Sequence, residues 1–180
     1  MRNVGEWASQ AVLNLPCDNS KSYVRDAEYV AAGIAGKGIQ QRALFVGDDL
    51  NAFSSLLSFL GSKHWQISIC RHAKFERRIF TDPPLSVHLL VYCLNECEDL
   101  DTSVARLMQM RVDFPCTSII VASTQFSGND MSADRLAICD GSLKLPLAES
   151  DLFGALVSSL ANNRVWQQRL RDWNDPESIC

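Results

Sequence analysis

Two adjacent carboxylates, Asp48 and Asp49, follow a short apolar run and are the first side chains in the sequence that could do chemistry. Carboxylate oxygens are ligands that Mg²⁺ prefers, so an acid pair at the end of a strand could hold that ion. An Asp at this place could also cap the helix that the next residues predict, because its side chain accepts hydrogen bonds from N–H groups of a first turn. Taken alone, the pair favours the helix cap.

A thiol is the second candidate, since Cys93 ends another apolar run and Cys97 lies four residues further on. A thiol-based sensor or enzyme needs positive charge near its cysteine, because such charge lowers the pKa of the thiol. The sequence instead predicts that Asp48 and Asp49 lie near Cys93, and Glu96 also follows it closely. Carboxylates raise the pKa of a thiol, so we interpret Cys93 as a structural cysteine.

Four short apolar runs predict the strands that must position these side chains. The runs are 43–46, 66–70, 87–94 and 118–122. Runs of this length and composition are typical of strands that are buried on both faces. Helical patterns fall between the runs, and this alternation predicts a parallel sheet with helices on both faces. Ligands of such sheets bind at the carboxyl ends of the strands, which is where Asp48, Asp49 and Cys93 stand.

Helices and loops follow from the same pattern. After the acid pair, apolar residues at helical spacing predict a helix with the face Phe53, Leu56, Leu57 and Leu60. Residues 74–80 predict a short helix, and residues 148–173 predict a long final one. The polar, glycine-containing segment 125–131 predicts a loop on the same rim of the sheet as the acid pair.

Composition excludes several classes of protein. With 47% hydrophobic and 21% charged residues, the chain can build a core and is not a disordered tail. Its net charge of −4 leads us to expect neither direct nucleic-acid binding nor attraction to anionic membranes. No apolar run approaches the roughly 20 residues of a membrane helix. Residues 1–7 lack a signal-peptide core, so the seven cysteines are expected to be reduced thiols in a cytoplasmic protein.

The chain divides into three predicted parts. Residues 1–40 predict an N-terminal helical extension, residues 41–163 an α/β domain, and residues 164–180 a C-terminal helix extension and tail. The glycine-rich segment 33–38 loosely suggests a phosphate loop, but a predicted helix precedes it and a strand follows it, which reverses the order of that motif. We interpret this segment as a helix stop and a flexible joint.

Residues 42–163, roughly two-thirds of the chain, resemble the receiver domain of bacterial response regulators. The likeness rests on an acid pair after the first strand, a hydroxyl at Ser123 after the fourth, and Asp140-Gly141 shortly before Pro146. The resemblance implies a three-layer, flavodoxin-like fold with a five-stranded parallel sheet. It also implies roles, because in that family the acid pair binds Mg²⁺, an Asp ending the third strand takes a phosphoryl group, and a Lys before the Pro pairs with it.

The sequence departs from the family pattern at the positions of that chemistry. Cys93 stands in place of the phospho-accepting Asp, and Leu145 in place of the Lys before the Pro. Lys144 comes one residue early, which turns its side chain to the other face of a strand. Ser142 stands where the family usually has an aromatic switch residue. The resemblance therefore implies a degenerate phosphorylation site made of Asp48, Asp49, Cys93, Ser123 and Leu145.

These departures predict a non-enzymatic, non-phosphorylatable receiver-like domain that acts by protein–protein interaction, as an adaptor or as a regulatory domain in bacterial signal transduction or transcription control. Mg²⁺ binding at Asp48 and Asp49 is expected to be weak or absent, because one of three carboxylates is missing, and no other cofactor is implied. Two alternatives stay open. One is a redox sensor that uses Cys93 and Cys97, and the other is a small-molecule-binding regulatory domain at the sheet rim.

The last predicted helix is longer than the roughly 15 residues that a receiver-like sheet needs to cover its flank. In the part beyond the domain, four apolar residues at spacings of three and four lie close to one stripe: Val165, Trp166, Leu170 and Trp173. Such a stripe must pack on the N-terminal helices, meet a second copy of the chain or dock on another protein. We expect a protein partner, whose identity the sequence does not indicate. For the stripe itself, the two competing expectations are a homodimer through this helix and packing on the N-terminal extension.

Overall fold

The structure is a computed structural model that describes residues 41–49, 51–72, 75, 87–94 and 99–174. The predictions made for residues 1–40, for the helix at 74–80 apart from Phe75, and for Cys97 lie outside these residues. Within the described ranges, no helix is both long and apolar enough to cross a membrane.

The described part of the fold contains five strands and three α-helices. The strands are β1 (Arg42–Val46), β2 (Gln66–Cys70), β3 (Leu89–Cys93), β4 (Ser118–Ser123) and β5 (Gly141–Lys144), and the helices are α1 (Ser54–Ser62), α2 (Leu100–Asp113) and α3 (Glu149–Asn174). Short 3₁₀ turns lie at Asn51–Phe53 and Ala133–Arg135. The boundaries of β1 to β4 agree with the predicted runs to within two residues.

All five strands are parallel and lie in the order β2-β1-β3-β4-β5. This order confirms the predicted flavodoxin-like, five-stranded parallel sheet. The chain passes from β1 to β2 on one side and returns to β3 on the other, so the direction of winding changes between β1 and β3. Open sheets of this kind bind ligands at such a switch point, outside the carboxyl ends of the strands. The last residues of the two strands there are Val46 and Cys93.

The core lies on both faces of the sheet, because successive side chains of a strand point to opposite faces. Phe45 and Val91 belong to a cluster with apolar residues of α1 and α3. Val46 and Tyr92 belong to a second cluster with apolar residues of α2. Every residue of β3 except Cys93 is fully buried, which explains why this strand reads as a continuous apolar run.

A buried ion pair joins α2 to the start of β5. Arg111 and Asp140 are both completely buried, and the Arg111 guanidinium donates a hydrogen bond to the Asp140 carboxylate. The carboxylate also accepts from the backbone N–H of Ile119 at 2.7 Å, and Arg111 Nε donates to the carbonyl of Leu136 at 3.0 Å. Burial raises the pKa of the Asp140 carboxyl, and the guanidinium beside it opposes that rise.

The helix α3 stays in contact with the domain further than the sequence suggested. Asn163 is buried and its amide donates to the carbonyl of Thr117 at 2.9 Å. Beyond it, the Trp166 ring lies over the Arg111 guanidinium at 5.4 Å. The prediction that the helix leaves the domain after Asn163 is therefore wrong at Trp166, which packs on α2. The overhang begins later, and Trp173 is 79% exposed.

The cysteines divide into two groups among the described residues. Cys70, Cys93 and Cys139 are free thiols, as expected. Cys116 is disulfide-bonded, so the expectation of reduced thiols is wrong for that residue.

Candidate functional site

The candidate site lies at the carboxyl ends of the three central strands. Asp48 and Asp49 follow β1 and are exposed, Cys93 ends β3, and Ser123 ends β4. The register pairs Cys93 with Ala122, which places Ser123 one residue further along the same rim. The structure thus brings together the acid pair, the thiol and the hydroxyl that the sequence predicted.

Gly47 lets the loop that carries Asp48 and Asp49, here called the acid loop, lie directly against β3. A Cβ atom at this position would be 3.0 Å from Cys93 Cβ and 3.2 Å from the Phe53 ring, closer than side chains normally approach. A glycine is needed here because of this contact with a neighbouring strand. The two acids that follow Gly47 are therefore held beside the thiol.

His72 is the site residue that the sequence analysis missed. Its Nδ1 lies 3.0 Å from Asp48 Oδ2, and its Nε2 lies 2.6 Å from the backbone carbonyl oxygen of Cys93. The sequence contains one part of the signal, the distance of His72 from the end of a predicted strand, whereas the pairing of the two strands comes from the structure. His72 is the second residue after β2, as Asp48 is the second after β1, and the last residues of these two strands, Val46 and Cys70, pair in register.

Asp49 serves the backbone of the following turn. Its Oδ1 accepts a hydrogen bond from the N–H of Asn51 at 3.0 Å. This bond closes the turn that opens the short 3₁₀ segment before α1, as Asp side chains commonly do. The helix-cap interpretation of the acid pair is wrong for α1, because Phe53 is the N-cap of that helix and no side chain caps it. Asp49 closes the preceding turn, and Asp48 is directed to His72.

The Cys93 thiol lies in surroundings that keep it protonated. It is half-buried, and its Sγ is 3.8 Å from the carbonyl oxygen of Leu94. Burial raises the pKa of the Cys93 thiol, and the charges of Asp49 and Asp48 raise it further. A reactive cysteine requires the opposite shift, so the geometry favours the interpretation of Cys93 as a structural cysteine.

Leu145 and Lys144 lie as the alternation of a strand requires. Leu145 is 2% exposed and packs in the cluster that α1 and α3 cover. Lys144 is exposed, with Nζ 3.5 Å from the carbonyl oxygen of Ser127. The position before Pro146 therefore offers an apolar side chain where the family has a cation.

The hydroxyl of Ser123, at the end of β4, accepts a hydrogen bond from the backbone N–H of Gln125 at 3.1 Å.

Ser142 anchors the loop after β4 to the edge of the sheet. Its backbone exchanges two hydrogen bonds of 2.8 Å with that of Asp130 in an antiparallel bridge. The predicted loop at 125–131 contains neither helix nor strand apart from this bridge. Ser142 itself is buried beside Cys139, where an aromatic side chain would not be exposed to act as a switch.

The donor set at the rim does not fit Mg²⁺. Asp48 is engaged by His72, Asp49 accepts from a backbone N–H, and a thiol is a poor ligand for so hard an ion. In the part of the chain that the structure describes, no three His, Cys, Asp or Glu side chains are grouped to share a metal ion. Weak or absent Mg²⁺ binding stays a prediction that a solution measurement must test.

No family model and no curated protein sequence matches this chain. Among solved structures, a response regulator from Thermotoga maritima is similar over 68% of this chain and 99% of its own, with a TM-score of 0.53 and 12% identity. A putative pilus assembly-related protein from Burkholderia pseudomallei covers 68% of this chain and 91% of its own, with a TM-score of 0.49 and 18% identity. At 12% identity the first likeness shows the fold alone. The domain has a receiver-like fold.

Proposed function

We propose that this chain is a receiver-like signalling domain that is not phosphorylated and acts by binding another protein. In this role it is an adaptor or a regulatory domain in bacterial signal transduction or transcription control. The observation that carries the proposal is Cys93 at the carboxyl end of β3, half-buried and directly beside the acid loop. A receiver-like fold with a thiol at this place keeps the scaffold of a signalling domain without its phosphoryl acceptor.

A second substitution supports the proposal. A phosphoryl group on the rim carries negative charge that an adjacent cation must balance. Leu145 packs in the core instead, and Lys144 is exposed, with its ammonium close to the Ser127 carbonyl. The rim therefore offers neither an acceptor carboxylate nor a Lys at the position before Pro146.

Neither alternative function gains an observation. The raised pKa of the Cys93 thiol disfavours redox sensing, and Cys97 lies outside the described residues. A small-molecule site at the rim has a location but no identified ligand. We therefore keep a non-enzymatic, cofactor-independent role as the proposal, and a cytoplasmic location as an expectation.

Incubation with acetyl phosphate and Mg²⁺ tests the absence of phosphorylation. We expect intact-mass spectrometry to show no gain of a phosphoryl group on the wild-type chain, because Cys93 and Leu145 occupy the two positions that this chemistry needs. A functional response regulator treated in parallel is the positive control. A stable phosphoryl group that maps to the rim would contradict the proposal.

The binding role needs a separate experiment. A pull-down from native lysate would compare the full chain, the chain without residues 1–40, and Trp173→Ala. We propose the exposed end of α3 as the contact surface, because Trp173 is 79% exposed. A specific protein that is retained by the full chain and lost with Trp173→Ala would support both the adaptor role and this surface. Retention of no specific protein by the full chain would contradict the role.

A further inference from the structure

We propose that His72 acts as a plug at the acid rim, the carboxyl end of the sheet where Asp48, Asp49 and Cys93 lie. Its ring lies between the Asp48 carboxylate and the Cys93 carbonyl, occupies an oxygen of each, and closes the rim to metal. This inference rests on the proposed function and deepens it, because it identifies what replaces the metal ion in a receiver-like rim that does not take a phosphoryl group.

The two contacts of the ring engage oxygens of the kind that a metal ion needs. Asp48 Oδ2 lies 3.0 Å from Nδ1, and the carbonyl oxygen of Cys93 lies 2.6 Å from Nε2. Carboxylate and backbone carbonyl oxygens are the ligands that a hard divalent cation takes. The ring therefore occupies one such oxygen at each of its two nitrogens.

The ring is also held by packing. The His72 side chain is only 11% exposed, and its ring meets the edge of the Tyr92 ring at a centroid distance of 5.2 Å and an angle of 81°. Tyr92 is buried in β3, and its hydroxyl accepts from Arg106 Nη1 at 2.7 Å. His72 thus has a fixed orientation that the neighbouring strand imposes.

The position of the plug follows from strand register. Val46 pairs with Cys70, so the second residues beyond β1 and β2 emerge side by side at the rim. Those residues are Asp48 and His72, next to the switch point between β1 and β3. The plug is therefore built into the pairing of the strands and needs no separate element to position it.

The consequence for metal binding is specific. The plug occupies an oxygen of Asp48 and the carbonyl oxygen of Cys93. Restoring the third carboxylate with Cys93→Asp should then be insufficient to create a metal site, because the ring would still hold these two oxygens. Removal of His72 should be needed as well.

A titration with Mn²⁺ alone tests this statement on full-length chains. The proteins are wild type, Cys93→Asp, Cys93→Asp with His72→Ala, and Cys93→Asp with His64→Asn as a control at an exposed histidine. His64 has a φ of 61°, which Asn tolerates better than most residues. We expect the His72→Ala double variant to bind Mn²⁺ at least about tenfold more tightly than Cys93→Asp, because removal of the ring frees an Asp48 oxygen and the carbonyl oxygen of residue 93 for the ion. The His64→Asn control should match Cys93→Asp.

Equal Mn²⁺ affinities of Cys93→Asp and of its His72→Ala double variant would overturn the plug, as would tight binding by the wild type. Melting curves establish that each variant folds, and His72→Gln replaces His72→Ala if the double variant does not. Phosphorylation of the wild type by acetyl phosphate would overturn the proposed function and leave the Mn²⁺ comparison standing.

Discussion

Cys93 and Leu145 contribute packing at the two positions on which the proposed absence of phosphorylation rests. Both side chains are uncharged and more apolar than the Asp and Lys that the resemblance implies at these places, and both are at least partly buried. An apolar side chain such as Leu contributes about 1.5–3 kcal/mol when it is buried, whereas an unpaired charge there costs free energy. At the scale of single residues, both positions therefore favour stability of the fold.

The Cys93 thiol provides a prediction at this scale. Because Asp49 raises the pKa of the thiol, Asp49→Asn should lower that pKa and increase the thiolate fraction at neutral pH. The intrinsic nucleophilicity of a thiolate falls as its pKa falls, so we expect the rate of iodoacetamide alkylation to rise by only about two- to fourfold. The measurement is mass spectrometry of the Cys93 peptide against time at fixed pH.

The alkylation experiment has two controls, a second cysteine in the same proteins and a separate variant at a distant acid. Burial also raises the pKa of Cys139, so its slow alkylation should be the same in both proteins. Asp134→Asn changes an exposed acid on the 3₁₀ turn Ala133–Arg135 and should leave the Cys93 rate unaltered. A Cys93 rate that is unchanged in Asp49→Asn would show that the acid loop does not control the thiol.

Helix α2 and strand β5 are joined by polar contacts as well as by apolar packing. Arg111 reaches from α2 to the Asp140 carboxylate, and the same carboxylate accepts from the backbone of β4. At the outer edge of β5, Ser142 pairs with Asp130 of the preceding loop. Because an open strand edge can pair with another chain, this bridge protects the end of the sheet from unwanted pairing.

The buried pair predicts a large effect on stability. Asp140→Asn keeps an acceptor for Ile119 but leaves the Arg111 guanidinium buried without its counter-charge, so the free energy of unfolding should fall by about 3–5 kcal/mol. Arg111→Met combined with Asp140→Asn removes that uncompensated charge and should recover part of the loss. Urea denaturation of the three proteins provides the comparison.

The matched control is the ion pair of Arg135 with Asp130, in which both side chains are more than a third exposed. Because solvent screens exposed charges, Arg135→Met should cost less than about 1 kcal/mol. Equal losses for Asp140→Asn and Arg135→Met would mean that burial does not set the contribution of these pairs.

The part of the molecule that the structure describes is asymmetric, because α3 is longer than the sheet that it covers. Its 26 residues span about 39 Å, whereas β4, with six residues, spans roughly 20 Å. Trp166 and Trp173 are two turns apart on one side of the helix. Trp166 meets Arg111, and Trp173 lies past the end of the domain and is exposed.

This asymmetry predicts different effects for the two tryptophans. Trp173→Ala should change the free energy of unfolding by less than about 0.5 kcal/mol, as exposed substitutions usually do, while lowering self-association. Trp166→Ala should destabilise the chain, because it removes the ring over a buried guanidinium. Light scattering after size exclusion and urea denaturation measure the two properties. A wild-type chain that is monomeric at all concentrations would contradict the homodimer.

Several features of this protein were determined by its sequence alone. Short apolar runs predicted the positions of β1 to β4, because strands buried on both faces need apolar side chains throughout. Burial on both faces is wrong for β2, which lies at the edge of the sheet and has Ile69 43% exposed. Their alternation with helical patterns predicted the parallel sheet, and the positions of Asp48, Asp49 and Cys93 after strands placed them on one rim. These inferences depend on local periodicity and on chain order, which a sequence contains in full.

Tertiary structure decided the rest, because it depends on which distant residues meet. The contact of His72 with Asp48 requires the register of β1 with β2, and no local pattern encodes that register. The docking of Trp166 required the knowledge that Arg111, 55 positions earlier, is buried beneath it. A stripe of apolar residues indicates that a helix has a face to cover. Only the packed fold shows where the domain stops covering the apolar face of α3, which here is between Trp166 and Trp173.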